Sequence, residues 1–380
     1  MKFLHLADLH IGKKVNDISM IQEQKNALNQ ALNLIDRDDI DFVIVAGDVF
    51  DRPIPSISAL EVFSDFLVEI EKRNKKIFII SGNHDNLERL SYLSKLLKKN
   101  NIYFSDTFNG KLEKFELENN VNIFLLPYLY PAIIRKFYPK AEINNYTDAI
   151  KTVIGNTNLD KEKFNILVAH QFVCDCENEY IQSDSEEKSV GGVDIVESSV
   201  FEDFDYVALG HLHCPQKIKK EKIRYSGSLL KYSFSEINQK KVFTIVEIND
   251  KKEINISFEK IDFLHEMKEY KGYIEEFLNS DFYSKIKTDD YIHFILKDEE
   301  VIDAKKKLSL IYPNIMLLDF DNIFTRSSNV VFNLKNTKNK TILEHFEDFY
   351  KLQSEKEIDE NKKEILIKLI NSKGETECDQ

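Results

Sequence analysis

Short runs of apolar, β-prone residues alternate with longer segments of helical periodicity along the first half of the chain. The runs are KFLHLA, DFVIVA, KIFIIS, FNILVA and DYVAL, and they predict buried strands. Residues 20–36 and 57–73 repeat their apolar side chains at intervals of three and four, which predicts two amphipathic helices. Strands that alternate with helices are typical of a layered α/β fold with a parallel sheet.

The pattern changes in the second half of the chain. Strand-like segments KVFTIVEI and EINISFEK lie before residue 260, and we expect them in a second sheet of the sandwich. The order of the helix candidate GYIEEFLNS, the strand candidate DYIHFILK, another helix and the strand candidate NIMLLDF predicts a smaller α/β unit at 263–335. A joint at 334–340 precedes two charged amphipathic runs. The chain is therefore expected to have three parts, 1–262, 263–335 and 341–380.

Each of the five early strand runs ends in a short motif that carries Asp, Asn or His. Because the carboxyl ends of parallel strands lie along one edge of an open α/β sheet, we expect these side chains to meet there. Imidazole, carboxylate and amide oxygen groups all bind divalent metal ions. The seven candidate ligands are Asp8 and His10 in DLH, Asp48 in GDVFD, Asn83 in GNHD, His170 in AHQ, and His211 and His213 in GHLH.

The spacing within the motifs indicates how the ligands could share a site. In an extended segment Asp8 and His10 would point to the same side, as would His211 and His213. A glycine stands directly before three of the ligands, in GD, GN and GH, and would allow a sharp turn with positive φ where one is required. Two cations about 3.5–4 Å apart need a bridging anion, and Asp48 is the best candidate for that bridge.

An isolated DxH or HxH motif occurs often by chance and usually marks an ordinary structural or surface histidine. GDxxD and GNHD are more specific. Five motifs in this order, each after a predicted strand, favour a dinuclear metal site over coincidence.

The order DxH, GDxxD, GNHD, H and GHxH resembles the calcineurin-like metallophosphoesterases. VGGVDIVESSVFEDFDYVALGHLHCPQ and IRYSGSLLKYSFSE narrow the likeness to the nuclease subunits of bacterial SbcCD-type complexes, which are related to the Mre/Rad break-repair nucleases. The resemblance covers about the first 260 residues well and the rest in outline. It implies a four-layer α/β/β/α sandwich, a capping domain that contacts DNA, and C-terminal helices that dock on the coiled coil of an SbcC-type ATPase.

The resemblance also implies roles for single residues. His84, in GNHD, matches the family's catalytic histidine, which acts at the phosphate and the leaving group. Asp51 stands where archaeal and eukaryotic relatives have histidine and the bacterial branch has aspartate, so its role stays open. Leu229 replaces a proline in the SGSP segment, which suggests a looser loop. Of two manganese ions, one would be held by Asp8, His10, Asp48 and His213, and the other by Asp48, Asn83, His170 and His211.

Composition limits the classes of protein that fit. An apolar fraction of 42% in 380 residues is enough to bury a sizeable core. There is no apolar run of transmembrane length, and MKFLHLADLH enters the first strand at once, so we expect no signal peptide and a cytoplasmic protein. The four cysteines form no CxxC pair, which favours free thiols. The nearby Cys174 and Cys176 are weak candidates for ligands.

A net charge of −13 is unusual for a protein that binds DNA. Bound cations would offset part of this negative charge, and a partner protein would supply the remaining positive charge. Lys13 and Arg89 are the best-placed candidates for DNA contacts because they lie near the predicted metal edge. The basic run KIKKEKIR is more typical of a solvated face.

Together these observations predict a metal-dependent DNA nuclease. By resemblance it would degrade duplex DNA from 3′ to 5′ and cut single strands and hairpins, as a homodimer within a heterotetramer with an SbcC-type ATPase. Two alternatives stay open. One is a phosphoesterase of the same fold acting on a small nucleotide or phosphoprotein, which the capping domain and helical tail disfavour. The other is a DNA-binding scaffold without catalysis, which the complete ligand set and His84 disfavour.

Overall fold

The computed structural model describes residues 1–321 except 93, 176–179, 187–193 and 250, and beyond 321 only residues 343, 358, 362 and 363. The chain divides into two compact units, Met1–Lys268 and Glu269–Gln380. The predicted joint and all of the predicted tail except those four residues lie outside the described part of the chain. The division into three parts therefore stays a prediction.

Two six-stranded sheets, two short two-stranded sheets and several helices make up the described part of the first unit. Its strands are β1 (Lys2–Leu6), β2 (Lys14–Val15), β3 (Ile18–Ser19), β4 (Phe42–Ala46), β5 (Lys76–Ile80), β6 (Ile102–Phe104), β7 (Glu113–Leu117), β8 (Val121–Leu126), β9 (Phe164–His170), β10 (Phe172–Cys174), β11 (Ile195–Glu197), β12 (Tyr206–Gly210), β13 (Gln216–Ile218), β14 (Lys220–Tyr225), β15 (Val242–Ile248) and β16 (Ile254–Lys260). Its helices are α1 (Ile21–Arg37), α2 (Ile57–Lys72), α3 (Leu87–Leu90), α4 (Ser94–Leu97), α5 (Pro131–Phe137) and α6 (Tyr146–Gly155), with 3-10 turns at Lys98–Asn100, Ser198–Phe201 and Phe234–Glu236.

The two six-stranded sheets lie face to face. The first has the order β16-β15-β1-β4-β5-β6 and the second β13-β14-β12-β9-β8-β7. Side chains of both meet in one buried cluster that includes Phe3 and Ile44 from the first sheet and Ile123 and Ile166 from the second. Helices α5 and α6 cover the other face of the second sheet. Helix α2 contacts β5 and α1. This arrangement confirms the four-layer α/β/β/α sandwich.

Local sequence explains the elements that carry the site. All five residues of β4, FVIVA, are buried, as expected for a parallel strand covered on both faces. The predicted helix at 57–73 is α2, and Ser56 caps it by accepting a hydrogen bond from the backbone N–H of Ala59. The predicted helix at 20–36 is α1.

The sequence suggested that the strands carrying the ligand motifs share one sheet, but the structure divides them between two sheets. Strands β1, β4 and β5 lie in the first sheet, and β9 and β12 lie in the second. Strands β15 and β16, expected in the second sheet, instead extend the first one, with β15 antiparallel to β1. Periodicity identifies a strand but not its sheet, since both sheets bury apolar side chains on the same interface.

The second unit is described from Glu269 to Asp321. Strand β17 (Met267–Gly272) crosses the division between the units, and α7 (Ile274–Leu278), α8 (Ser280–Tyr283), β18 (Tyr291–Leu296), α9 (Ala304–Leu308) and β19 (Ile315–Phe320) follow. The sheet order is β17-β18-β19, and its buried cluster includes Phe277, Phe294 and Leu308. The predicted helices and strands of this region are thus present. No helix among the described residues is long and apolar enough to cross a membrane.

Candidate metal centre and active site

The structure brings all seven predicted ligands and His84 together where the carboxyl ends of β1, β4, β5, β9 and β12 meet. Three groups of side chains have ligand atoms within 4.8 Å of one another, and each could hold a metal ion. The groups overlap, so they describe one continuous centre. They are Asp8, His10 and His213; His10, Asp48 and His84; and Asp8, Asp48 and His170.

Asp48 lies in the middle of this centre. Its Oδ2 atom is 3.5 Å from Nε2 of His10 and 3.5 Å from Nε2 of His170. Its Oδ1 atom accepts a hydrogen bond of 3.0 Å from the backbone N–H of His84. One carboxylate oxygen is therefore placed between two histidines from different sheets, as a bridging ligand requires.

Asn83 organises one side of the centre. Its Oδ1 atom is 3.0 Å from Nε2 of His170 and 3.2 Å from Nδ1 of His211. The ring of His170 is oriented by a hydrogen bond on its other nitrogen, because Nδ1–H donates to the carbonyl oxygen of Ala46 at 2.8 Å. That hydrogen bond turns Nε2 of His170 toward the centre.

His10 and His213 form the other side, with their Nε2 atoms 3.0 Å apart. The backbone of the His10 loop is held by Gln24 of α1, whose Nε2 atom donates to the carbonyl oxygen of His10 at 2.7 Å. Asp8 joins this side, and its Oδ1 atom accepts a hydrogen bond of 2.9 Å from the backbone N–H of His211.

The ligand segments are not extended, so the prediction that Asp8 and His10 share one side of a strand was wrong in its geometry. The φ angles are 51° at Asp8, 43° at His10, 49° at Asp48 and 115° at His211. Non-glycine residues rarely adopt positive φ, and such strain concentrates at functional sites. The side chains converge because the backbone turns at the ligands themselves.

The glycines before the ligands serve mainly to let backbones approach closely. A Cβ atom at Gly82 would lie 2.1 Å from Oδ1 of Asp48, and one at Gly210 would lie 1.9 Å from the carbonyl oxygen of Ala46. Only Gly47 of the three has positive φ, at 85°. Any side chain at these positions would displace a ligand loop.

The donor set fits divalent metal ions. Oδ2 of Asp8 and Nε2 of His211 are buried without a hydrogen-bond partner. Buried polar atoms in folded proteins nearly always have partners, so such unpartnered atoms indicate a missing ligand. A mixture of carboxylate, imidazole and amide oxygen is suited to a divalent transition metal.

Burial and neighbouring charges shift the protonation of the centre. Burial raises the pKa of Asp8 well above its ordinary value and lowers the pKa of His211 to about 3. Burial alone would also lower the pKa of His170, but the carboxylate of Asp48 raises it to about 9. The carboxylate of Asp48 thus favours the protonated form of His170, and a metal ion would compete with that proton.

His84 is the most accessible of the histidines in the centre, with its side chain 22% exposed. Its Nδ1–H donates to the carbonyl oxygen of Asp51 at 3.2 Å, and its Nε2 atom is 4.0 Å from Oδ2 of Asp48. The side chain of Asp51 instead accepts a hydrogen bond of 2.9 Å from Lys13. Asp51 thus orients His84 through its backbone.

The two candidates for DNA contacts lie in different surroundings. Lys13 is beside the centre but paired with Asp51, and its side chain is 15% exposed. Arg89 is exposed on α3 and lines a cavity formed with Phe50 and Leu60. Both contacts stay predictions.

The remaining sequence features contribute no predicted ligand. Residues 217–224 form the β13–β14 hairpin, where Lys217 pairs with Glu221 at 2.6 Å. Leu229 is buried at 4% exposure. Cys174 and Cys214 are buried, while Cys176 and Cys378 lie outside the described residues.

Asp85 is a residue of the site that the sequence reasoning missed. Its Oδ2 atom accepts from the backbone N–H groups of Val49 and Gly82, both at 3.0 Å, and its Oδ1 atom accepts from Phe50 at 2.9 Å. It therefore joins the GDVFD loop to the GNHD loop. Burial and the charge of Asp48 raise its pKa to about 6. A carboxylate directly after His84 in a turn motif was the available sequence signal.

A second missed group surrounds His213. Nδ1 of His213 is 2.7 Å from Oγ of Ser185, and Ser185 in turn donates to Glu236. The backbone N–H of His213 donates to Glu186 at 2.6 Å. Glu236 pairs with Lys241 at 2.6 Å, and both side chains are fully buried. No motif marks these residues, since only the fold brings them to His213.

Known proteins are similar to this chain in sequence and in structure. The family model of the calcineurin-like phosphoesterases matches residues 1–215, which contain all seven ligands and His84. The SbcD component of the nuclease SbcCD from Staphylococcus epidermidis is 33% identical over 352 residues, which cover 91% of this chain and 92% of that protein. A dimetal phosphatase from Danio rerio is 10% identical and has a TM-score of 0.37, and the match covers 69% of this chain and 97% of that one.

The fold and the site thus define a phosphoesterase that works with two divalent metal ions, and the chain belongs to the calcineurin-like phosphoesterase family. Within that family it belongs with the SbcD components of SbcCD nucleases. The predicted family and the predicted class, a metal-dependent nuclease, are confirmed.

Proposed function

We propose that this chain is the manganese-dependent nuclease subunit of a DNA end-processing machine. It would degrade duplex DNA from 3′ to 5′ and cut single strands and hairpins during repair and recombination, in the cytoplasm. The observation that carries the proposal is the position of Asp48, with one carboxylate oxygen 3.5 Å from a histidine of each ligand group. The name of the relative supplies the nuclease class.

The ligands divide into two sets that share Asp48. In this assignment Asp8, His10, Asp48 and His213 hold one ion, supported by the contact between His10 and His213 at 3.0 Å. The second set is supported by the contacts of Asn83 with His170 and His211. It consists of Asp48, Asn83, His170 and His211.

Bound divalent cations supply two things here, a lowered pKa for an attacking water and compensation of the negative charge that grows on the phosphate oxygens. The protein's own contribution to proton transfer is His84. Because its Nδ1–H is committed to the carbonyl oxygen of Asp51, Nε2 is the atom that exchanges a proton. In its imidazolium form, His84 donates that proton to the departing 3′ oxygen.

A nuclease assay tests the proposal. The purified protein, with and without an SbcC-type ATPase, is incubated with end-labelled hairpin and linear duplex DNA in manganese or in EDTA. We expect cleavage in manganese and none in EDTA. Failure to cut either DNA in manganese with the ATPase present, together with hydrolysis of a small phosphodiester, would show that DNA is not the substrate.

The second unit offers a basic surface for DNA. Helix α9 carries three consecutive exposed lysines, Lys305, Lys306 and Lys307. Lysine side chains contact phosphates without reading sequence, which suits an enzyme that acts on DNA ends. We therefore assign DNA contacts of the capping domain to this helix first, ahead of Lys13 and Arg89.

The partner interface would lie in the tail. Residues 341–380 contain two amphipathic runs and would dock on the coiled coil of the ATPase as helices in a groove. Truncation after Lys340 should abolish co-purification with the ATPase while leaving manganese-dependent hydrolysis of a small phosphodiester intact. Unchanged co-purification would disprove this interface.

An apolar stripe on α2 supports a homodimer. Ile57, Leu60 and Val68 lie on one face of the helix and are 76%, 48% and 46% exposed. Tyr92 and Leu96 add nearby apolar surface, with exposures of 82% and 61%. Exposed apolar patches of this kind mark interaction sites, and most homo-oligomers are twofold dimers. Light scattering of Leu60→Glu should then report a monomer where the unaltered chain is a dimer.

A further inference from the structure

His213 is held from the side opposite the metal centre by a serine and a glutamate. Its Nδ1–H donates to Oγ of Ser185 at 2.7 Å, and the hydroxyl of Ser185 donates to Oε1 of Glu236. Oε1 of Glu236 also lies 3.6 Å from Nδ1 of His213. A histidine, a hydroxyl and a carboxylate thus form a directed chain of hydrogen bonds behind the metal centre.

Glu236 is held in place from the opposite side by Lys241. Their ion pair measures 2.6 Å, and both side chains are fully buried. Lys241 also donates to the carbonyl oxygen of His213 at 2.8 Å, to Oγ of Ser228 at 2.9 Å and to Gln239 at 2.9 Å. Neither end of the pair can move without leaving a buried charge uncompensated, which makes it a rigid anchor.

The direction of the hydrogen bonds decides the tautomer of His213. Glu236 accepts the hydroxyl proton of Ser185, so Oγ of Ser185 must accept from His213, and Nδ1 of His213 carries the hydrogen. Nε2 then presents its lone pair to the centre, where it lies 3.0 Å from Nε2 of His10. Metal-binding histidines are commonly oriented by such partners on the other ring nitrogen.

We propose that Ser185 and Glu236 are positioning residues that fix the tautomer and ring orientation of His213 and thereby set the metal affinity of the site formed with Asp8 and His10. This inference rests on the proposed two-ion centre. It adds a dependence of one ion on residues 183–186, because the side chain of Glu186 also accepts a hydrogen bond from the backbone N–H of His213.

Substitution of Ser185 tests the series of hydrogen bonds from His213 to Glu236 and retains the buried ion pair between Glu236 and Lys241. Ser185→Ala removes the link between His213 and Glu236, whereas Ser185→Thr retains a hydroxyl. Ser183→Ala is the matched control, because Ser183 lies on the same loop and its Oγ atom accepts from Gln239. Titration of the full-length, metal-free variants with Mn²⁺ by calorimetry, without DNA, measures the affinity of each ion, and thermal unfolding before metal addition reports any structural damage.

We expect Ser185→Ala to weaken one of the two Mn²⁺ binding steps by about 10–100-fold and to leave the other step unchanged, while the metal-free variant still unfolds in one cooperative transition. Ser185→Thr should restore the affinity, and Ser183→Ala should bind both ions normally. Equal affinities for Ser185→Ala and the unaltered protein, or equal losses in both alanine variants, would overturn the role. Absence of two binding steps in the unaltered protein would instead refute the two-ion centre.

Discussion

His10 and His213 are 203 positions apart in the chain, yet both side chains are buried and their Nε2 atoms face each other at 3.0 Å. Two imidazole nitrogens at this distance require a proton or a cation between them, since two lone pairs repel. His10 follows the first strand of one sheet, and His213 follows a strand of the other. The centre therefore depends on both sheets.

His84 should be needed for chemistry and not for metal binding. His84→Ala is expected to retain both ions and to lose about 10²–10⁴-fold in kcat, the usual contribution of a general acid. Metal content by plasma mass spectrometry and DNA cleavage are measured on the same preparation. A variant that loses manganese in parallel with activity would make His84 a ligand instead.

Asp85 should stabilise the two ligand loops that it joins. Asp85→Ala leaves the backbone N–H groups of Val49, Phe50 and Gly82 without their acceptor, so we expect the free energy of unfolding to fall by roughly 2–4 kcal/mol. Urea unfolding of the metal-free protein measures this free energy. The control Asp65→Ala alters an exposed side chain of α2 and should stay within about 0.5 kcal/mol of the unaltered chain. Similar losses of unfolding free energy in both variants would show that Asp85 does not stabilise the two loops.

Glu236 should contribute to stability in mildly acidic solution. Burial alone would raise its pKa, but the ammonium group of Lys241 lowers it from 4.5 to about 2. A carboxyl group with a depressed pKa in the folded state contributes fully above pH 4.5 and loses its contribution as the pH falls from 4.5 to about 2.

The free energy of unfolding of metal-free Glu236→Gln should therefore depend less steeply on pH between 4.5 and 2 than that of the unaltered chain. Glu247→Gln is the control, because Glu247 is exposed on β15 and should keep the original slope. Parallel curves for Glu236→Gln and the unaltered chain would show that Glu236 is not stabilised as an anion in the folded state.

The lysines of α9 should contribute to DNA affinity through charge alone. Replacement of Lys305, Lys306 and Lys307 by alanine is expected to reduce the slope of log Kd against log salt by up to about 3 on duplex DNA. Fluorescence anisotropy at several salt concentrations measures that slope. Lys161, Lys251 and Lys252 are exposed at the end of the first unit away from the ligands, and their joint replacement is the control. An unchanged slope in the α9 variant would remove that helix from the DNA interface.

Sequence predicted much of the centre because strand ends and metal-ligand motifs are local features. KFLHLA and the four runs like it identified the strands, and the residues directly after them are the ligands that converge. Periodicity did not reveal that β9 and β12 belong to a different sheet from β1. Positive φ at Asp8 and His211 could not be predicted from the sequence either, because the surrounding fold imposes this backbone strain.

Residues that orient the ligands were the least predictable. Ser185 and Glu236 are 51 positions apart and carry no motif, and they meet only because the fold brings residues 183–186 to the segment after β14. Asp85 was closer to prediction, because it directly follows the GNHD histidine. In each case hydrogen bonds between distant segments, not local sequence, determine the role.

The most direct test of the two-ion centre is a crystal structure in manganese with anomalous diffraction data. Two manganese peaks are expected on either side of Asp48, one near His10 and His213 and the other near His170 and His211. In Asp48→Ala neither peak should reach full occupancy, because both ions lose their shared ligand. A single manganese ion in the unaltered protein, or full occupancy of one peak in Asp48→Ala, would contradict the account.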